Sequence, residues 1–227
     1  MKANVIMQGK TADEVFVQWY DLLKSMDDKQ ESRVGEVVGE VVNAISIIED
    51  PTRCIMQNEV RDMSLRYALG EMLWYISSKN TFEGSIDKYA KFWSTIADEE
   101  GCVNSNYGWC IREKYGFDQL EYVLKVLKES PQSRQAVIHI KEPRNTFDSP
   151  TKDLNCTCTL QFFIRDNKLY MTTYMRSNDL WLGFPYDVFN FTALQIYISM
   201  VLEVELGTYT HIAGSLHLYK KDVKLEK

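Results

Sequence analysis

Apolar residues along this chain fall into helical and strand periods that alternate irregularly. Thr11-Ala-Asp-Glu14 is a capping-box pattern, and Val15, Phe16, Trp19, Leu22 and Leu23 then share one face, which predicts a helix to about Met26. Ser64 is placed to cap a second helix over residues 65–76, with Leu65, Ala68, Leu69, Met72, Leu73 and Ile76 turned inward. Residues 85–97 form a third. Asp118-Gln-Leu-Glu121 opens another that runs to about Glu129 and is closed off by Pro131. Pro185 precedes the longest helical run, for which Gly207 is the expected C-cap. Residues 36–48, rich in Val and Ile, are extended and stopped by Pro51. Residues 135–140 form a short strand, 157–165 and 168–175 a hairpin about Asp166-Asn167, and 208–219 a last strand. Helices and strands mixed without a regular βαβ order predict an α+β fold rather than a doubly wound sheet.

Composition narrows the class. The 227 residues suffice for one core and predict a single domain over 1–227. With 45% hydrophobic and 12% aromatic residues the chain is globular. A net charge of -6 offers no general field for nucleic acid or an anionic membrane, so an anionic ligand must be held by a few placed basic residues. Residues 1–10 contain no signal-peptide run. The longest apolar segment, residues 188–206, is interrupted by Asn190, Gln195, Glu203 and Glu205. Five cysteines, an odd number, predict reduced thiols and a cytoplasmic protein. Cys156-Thr-Cys158 is not a zinc pattern, and no metal site is expected.

Some residues stand out for chemistry. Glu71 sits in the apolar stretch Leu69-Gly-Glu-Met-Leu-Trp74, where an unpaired carboxylate is costly to bury. Cys156 is a candidate nucleophile or a small buried hydrophobe. Asp187 is a candidate polar contact or a helix N-cap. His217 and Tyr219 share a strand face, as ligands or as core residues.

Order and spacing then carry a resemblance. Gly70-Glu71-Met-Leu-Trp74-Tyr75, Asn106-Tyr107-Gly108, Ser133-Arg134, Asn155-Cys156-Thr-Cys-Thr-Leu-Gln161-Phe, Arg176-Ser177-Asn-Asp179, Leu182-Gly183-Phe-Pro185 and Gly214-Ser-Leu-His217-Leu-Tyr219 occur in the order of the thymidylate synthase superfamily's motifs. Within it, Cys156-Thr-x-Thr-x-Gln161 and Met175-Arg-Ser-Asn-Asp179 resemble most closely the deoxycytidylate hydroxymethylases of phage.

The resemblance implies a mixed sheet packed with helices, with one sheet face forming a homodimer interface. It implies a pyrimidine nucleoside monophosphate and 5,10-methylenetetrahydrofolate as ligands. Cys156 would add to C6 of the base and thereby make C5 nucleophilic, since a thiolate both attacks and leaves readily. Glu71 would manage protons through ordered water. Arg176 and Ser177 would hold the 5′-phosphate, with Arg134 contributed by the other subunit and Arg33 at a phosphate loop. Tyr107, Gln161 and Asp179 would line the nucleotide, and His217 and Tyr219 would meet the 3′-hydroxyl. Trp74, Trp93, Asp179 and Gly183, with Glu71, would lie toward the folate, although core packing explains either tryptophan equally well.

The departures from the pattern bear on specificity. Thymidylate synthases place an asparagine where this chain has Asp187. Uracil offers an acceptor at O4 and a donor at N3; cytosine offers the reverse. A protonated aspartic acid accepts from N4 and donates to N3, and an ionised one suits cytosine protonated at N3. Two mispaired groups, at roughly 1–3 kcal/mol each, discriminate by about two to four orders of magnitude. The histidine that normally follows the nucleophile is Thr157, as in the cytosine-specific relatives. The chain ends at Lys227, eight residues after Tyr219, without the family's long apolar-ended tail; a wetter site favours water over hydride as the final acceptor. The expectation is therefore a methylenetetrahydrofolate-dependent hydroxymethylase of dCMP or CMP. The alternatives are thymidylate synthesis on dUMP and C5-methylation of cytidylate. The phosphate clamp has Arg134-Gln135 where two arginines are usual, and Lys141 or Arg144 are candidates to compensate.

Overall fold

The residues picked out as caps start the helices. In the computed structural model, which describes residues 2–26, 28, 30–32, 35–142 and 153–223, β1 (Lys2–Ala3) and β2 (Ile6–Gly9) precede α1 (Ala12–Lys24). Thr11 caps α1 by accepting from the Glu14 amide at 3.1 Å. β3 (Gln30–Glu31) and β4 (Glu36–Ile48) follow. Ser64 caps α2 (Leu65–Ser77) through the Tyr67 amide. Next come α3 (Phe92–Ile96), α4 (Tyr107–Arg112) and α5 (Gln119–Glu129), the last capped by Asp118 through the Leu120 and Glu121 amides. β5 (Val137–His139), β6 (Thr157–Arg165), β7 (Lys168–Met175) and β8 (Asn178–Asp179) lead to α6 (Phe184–Leu202) and β9 (Glu205–Tyr219). Asp166 and Asn167, at φ of 51° and 58°, make the two-residue turn between β6 and β7. The architecture is α+β with a mixed sheet.

The chain divides into two compact units, Met1–Met63 with Ile164–Lys227, and Ser64–Phe163. In the first, β4 and β9 run antiparallel from Val37↔Tyr219 to Ile48↔Tyr209, while β7 and β8 join β9 in parallel and β1 and β2 join β4 in parallel. Alternation along β4, shifted once at Asn43 with its φ of 55°, buries Val41, Ala44 and Ile48 with Phe16, Trp19 and Leu23 of α1. Trp19 Nε1 donates to Ser46 Oγ at 2.8 Å beneath them. The register slips between Val37 and Gly39, and a Cβ at Gly39 would lie 2.2 Å from the Leu23 carbonyl oxygen, so a side chain there would push α1 off the strand. α6 buries Phe184, Val188, Phe191 and Ile198 on several sides, and Gln195 Nε2 donates to the Leu169 and Gly207 carbonyls.

In the second unit α2 lies against α4, where Gly108 permits contact: a Cβ there would fall 1.7 Å from the Tyr75 carbonyl oxygen. Trp74, Ile86, Trp93 and Val103 form its buried cluster. Gln119 ties α5 to β5, donating to the His139 carbonyl and accepting from its amide.

Three local expectations give way to tertiary packing. Residues 85–97 are a 3₁₀ turn, Ile86–Lys88, then the short α3, rather than one helix. Tyr89 lies between them with its ring against Gly70, where a Cβ would be 2.6 Å away, so the segment follows α2 instead of its own axis. The buried face of α2 is Ala68, Gly70, Glu71 and Trp74, whereas Leu69, Leu73 and Ile76 are exposed. Finally, Glu203, in the left-handed region at φ 53°, ends α6 in place of Gly207. Gly207 belongs to β9, and its missing side chain makes room for the Tyr170 ring. Among the described residues no helix is long and apolar enough to cross a membrane, and no cluster of three or more His, Cys, Asp or Glu is arranged to hold a metal ion.

Candidate active site

Glu71 is carried into the second unit's interior by the turn of α2 that also buries Trp74. It is 5% exposed. Tyr67, one turn earlier, donates its hydroxyl proton to Glu71 Oε1 at 2.7 Å and accepts from Trp93 Nε1 at 3.1 Å. Trp93 in turn packs on Trp74 with ring centroids 4.9 Å apart, and Trp74 Nε1 is satisfied by the Thr81 carbonyl at 2.9 Å. The carboxyl is therefore fixed in a hydrogen-bonded, water-poor setting, as proton-transfer groups require. Trp74 is enclosed in the core, whereas Trp93 reaches the carboxyl through Tyr67.

Tyr107 opens α4 after the Asn106 cap and lies 5.4 Å, centroid to centroid, from Tyr75. Asn106 Nδ2 donates to the Trp74 and Lys79 carbonyls, which fixes α4 against the end of α2. Cys156 stands half-buried at the head of β6. Asn155 beside it is buried and donates to the Asn104 carbonyl at 2.9 Å, anchoring the strand start. Thr157 is fully buried, and its Oγ1 has no hydrogen-bond partner among the described residues. Further along β6, Gln161 Nε2 donates to the Arg134 carbonyl at 3.1 Å, so these two residues sit together, with Arg134 exposed.

In the first unit, Arg176 is exposed after β7 and Ser177 half-buried. The chain there passes close to Gly214, whose Cβ would be 2.8 Å from the Arg176 carbonyl oxygen. Asp179 and His217 are register partners in β8 and β9. Asp179 Oδ1 accepts from the Trp181 and Leu182 amides at 2.8 and 3.1 Å, which holds its carboxylate rigidly. The His217 and Tyr219 rings meet edge to face at 5.0 Å. Burial pushes His217 below its ordinary value, and the negative charges of Asp179 and Glu40 pull the other way.

Asp187 occupies the first turn of α6. Its amide donates to the Gly183 carbonyl at 2.9 Å, so it is inside the helix and not its N-cap. Its Oδ2 accepts from Asn178 Nδ2 at 2.8 Å. A Cβ on Gly183 would lie 2.8 Å from that nitrogen and 3.2 Å from that oxygen, so only glycine leaves the pair intact. Arg33 and Arg144 lie outside the described residues.

Residues 19–227 match the family described as thymidylate synthase. The chain belongs to the thymidylate synthase family. The structure of a thermostable thymidylate synthase A from Bacillus subtilis superposes with a TM-score of 0.74 at 22% identity, over 90% of this chain and 80% of that one. That likeness is one of fold. Membership in the thymidylate synthase family brings a folate-dependent one-carbon modification of C5 of a pyrimidine nucleotide, with methylenetetrahydrofolate as the donor. Tyr67, Asn178 and His211, whose Nε2 meets Asn178 Oδ1 at 3.1 Å, are further polar partners around these residues. Tyr67 was signalled only by its one-turn spacing from Glu71. Asn178 falls within the Arg176-Ser177-Asn-Asp179 pattern, and nothing local marks His211.

Proposed function

We propose that this enzyme hydroxymethylates C5 of a cytosine nucleotide, dCMP in the first instance and CMP in the second. The observation that carries the reading is Asp187: a carboxyl group stands where the family reads uracil with an amide, and a side-chain amide hydrogen-bonds one of its oxygens. Thr157 after the nucleophile, and the Cys156-Thr-x-Thr-x-Gln161 and Met175-Arg-Ser-Asn-Asp179 patterns, support it, since the cytosine hydroxymethylases share them.

In this reading the Cys156 thiolate bonds to C6, breaks the ring's conjugation and places the electron pair at C5. Bound methylenetetrahydrofolate would supply the one-carbon unit at the oxidation level of formaldehyde and leave as tetrahydrofolate. Glu71, held by Tyr67, exchanges protons through water as C5 loses its hydrogen and as water becomes the hydroxyl. Cys156 departs as thiolate when the C5–C6 double bond re-forms. Asp187 accepts from N4 and donates to N3. Arg176 and Ser177 take the phosphate, Tyr107 and Gln161 line the nucleotide, and His217 with Tyr219 meets the 3′-hydroxyl. The residues fit a folate in kind: Asp179, fixed by two backbone amides, matches pterin N–H donors, and Trp93 offers an aromatic edge. The family pattern assigns Glu71 and Gly183 to the same ligand, with Trp74 packed behind Trp93.

The proposal extends to a homodimer in which Arg134 reaches the partner's phosphate. The exposed Arg134, and half-buried Val42, Ile45, Ile47 and Ile212 on one face of β4 and β9, support it. Replacing Asp187 by asparagine tests the central assignment. Activity on dCMP should fall and activity on dUMP should rise; equal losses on both nucleotides would remove Asp187 from base recognition.

A further inference from the structure

A line of hydrogen bonds leads from Asp187 into the interior of the first unit. Asn178 Nδ2 donates to Asp187 Oδ2 at 2.8 Å, and Asn178 Oδ1 meets His211 Nε2 at 3.1 Å. His211 Nδ1 meets the Tyr209 hydroxyl at 2.9 Å, and that hydroxyl meets Thr173 Oγ1 at 3.1 Å. Asn178, His211, Tyr209 and Thr173 are each at most 3% exposed. The line is assembled by register: Thr173 of β7 faces His211 of β9, while β8 brings Asn178 alongside β9.

Burial pushes His211 down to about 3, so at neutral pH its ring carries a single proton. The carbonyl end of Asn178 only accepts, which puts that proton on Nε2. Nδ1, unprotonated, then faces the Tyr209 hydroxyl, which is also hydrogen-bonded to Thr173 Oγ1. Asn178 presents its NH₂ to Asp187 and its carbonyl oxygen to His211.

That orientation matters because a neutral carboxyl group has two interchangeable ends. With the proton on one oxygen it complements cytosine; with the proton on the other it complements uracil equally well. A protonated aspartic acid alone therefore does not choose between the bases. An N–H pointed at Oδ2 makes that oxygen an acceptor and leaves the proton to Oδ1. We infer that Asn178 and His211 are positioning residues for base specificity, fixing which oxygen of Asp187 carries the proton. Gly183, where a Cβ would crowd both Asn178 Nδ2 and Asp187 Oδ2, leaves room for the pair. The inference rests on the reading of Asp187 as the cytosine-recognising residue.

The test is the ratio of kcat/KM for dCMP over dUMP in the wild type, His211→Gln and His211→Phe. Glutamine supplies an N–H to Asn178 Oδ1 and should keep the ratio within about threefold of wild type. Phenylalanine supplies none and should lower the ratio about tenfold or more. A merely structural role would depress both nucleotides in step, and an unchanged ratio in His211→Phe would overturn the inference while leaving Asp187 as the reader of the base. A wild type with no preference for cytosine would overturn both. A second measurement needs no variant. With three histidines in the chain, ring ¹⁵N–¹H correlation spectra of the wild-type protein at pH 7 report the His211 tautomer. The Nε2–H form is expected, and an Nδ1–H or doubly protonated ring would overturn the inference even if His211→Phe does not fold.

Discussion

The Tyr67 hydroxyl donates to the Glu71 carboxylate at 2.7 Å while accepting from Trp93 Nε1 at 3.1 Å. A residue on one turn of α2 is thus aimed by its neighbour on the previous turn, and both are steadied by an indole from α3. Removing the hydroxyl leaves a buried carboxyl short of a donor. Tyr67→Phe should cost roughly 1–3 kcal/mol of stability, readable by urea denaturation. It should also lower kcat more than it raises KM, because in the proposed mechanism Glu71 exchanges protons during the chemical steps. Glu71→Gln should abolish turnover with the fold retained.

Gly183→Ala tests the packing beneath Asp187. The added Cβ would fall 2.8 Å from Asn178 Nδ2, which must move. Steady-state kinetics should show a higher KM for the cytosine nucleotide, with thermal stability changing by only a few degrees.

Gly108→Ala tests the contact that seats Tyr107. The Cβ would meet backbone at 1.7 Å, with no flexible side chain to yield. α2 and α4 must separate, and the loss should be about 3 kcal/mol, at the upper end of overpacking costs, measured by chemical denaturation.

The buried histidine predicts a pH dependence. His211 is pushed down to about 3 from an ordinary value of 6.5, so the folded protein binds fewer protons than the unfolded chain between those limits. Its contribution to stability is complete above about pH 6.5 and is lost as pH falls toward 3, at about 1.4 kcal/mol per pH unit. His217, also lowered, acts in the same direction. Burial raises Asp153 and Asp222, which acts in the opposite direction near their own range. Comparing wild type with His211→Gln by denaturation between pH 4 and 6 isolates the term: the variant's slope should be shallower by about that amount.

What the sequence disclosed was what short-range chemistry decides. Thr11, Ser64 and Asp118 cap the helices they precede because a cap is made within three residues. Asp166-Asn167 turns the chain because both residues tolerate positive φ. The buried Glu71 was legible because a carboxylate amid apolar neighbours demands a partner. Helix faces and breaks were less so. Both sides of α2 carry apolar residues, and its inward side is settled by Gly70 meeting a distant ring. The same holds for His211, whose importance arises only when parallel strands bring it to Asn178.

The most direct test of the account is the mass of the product formed from dCMP, CMP and dUMP, each incubated separately with the protein and methylenetetrahydrofolate. A gain of CH₂O on dCMP or CMP, absent in Cys156→Ala, is the predicted result. A gain of CH₂ on dUMP with both cytosine nucleotides inert would contradict the assignment of Asp187 and the hydroxymethyl product together.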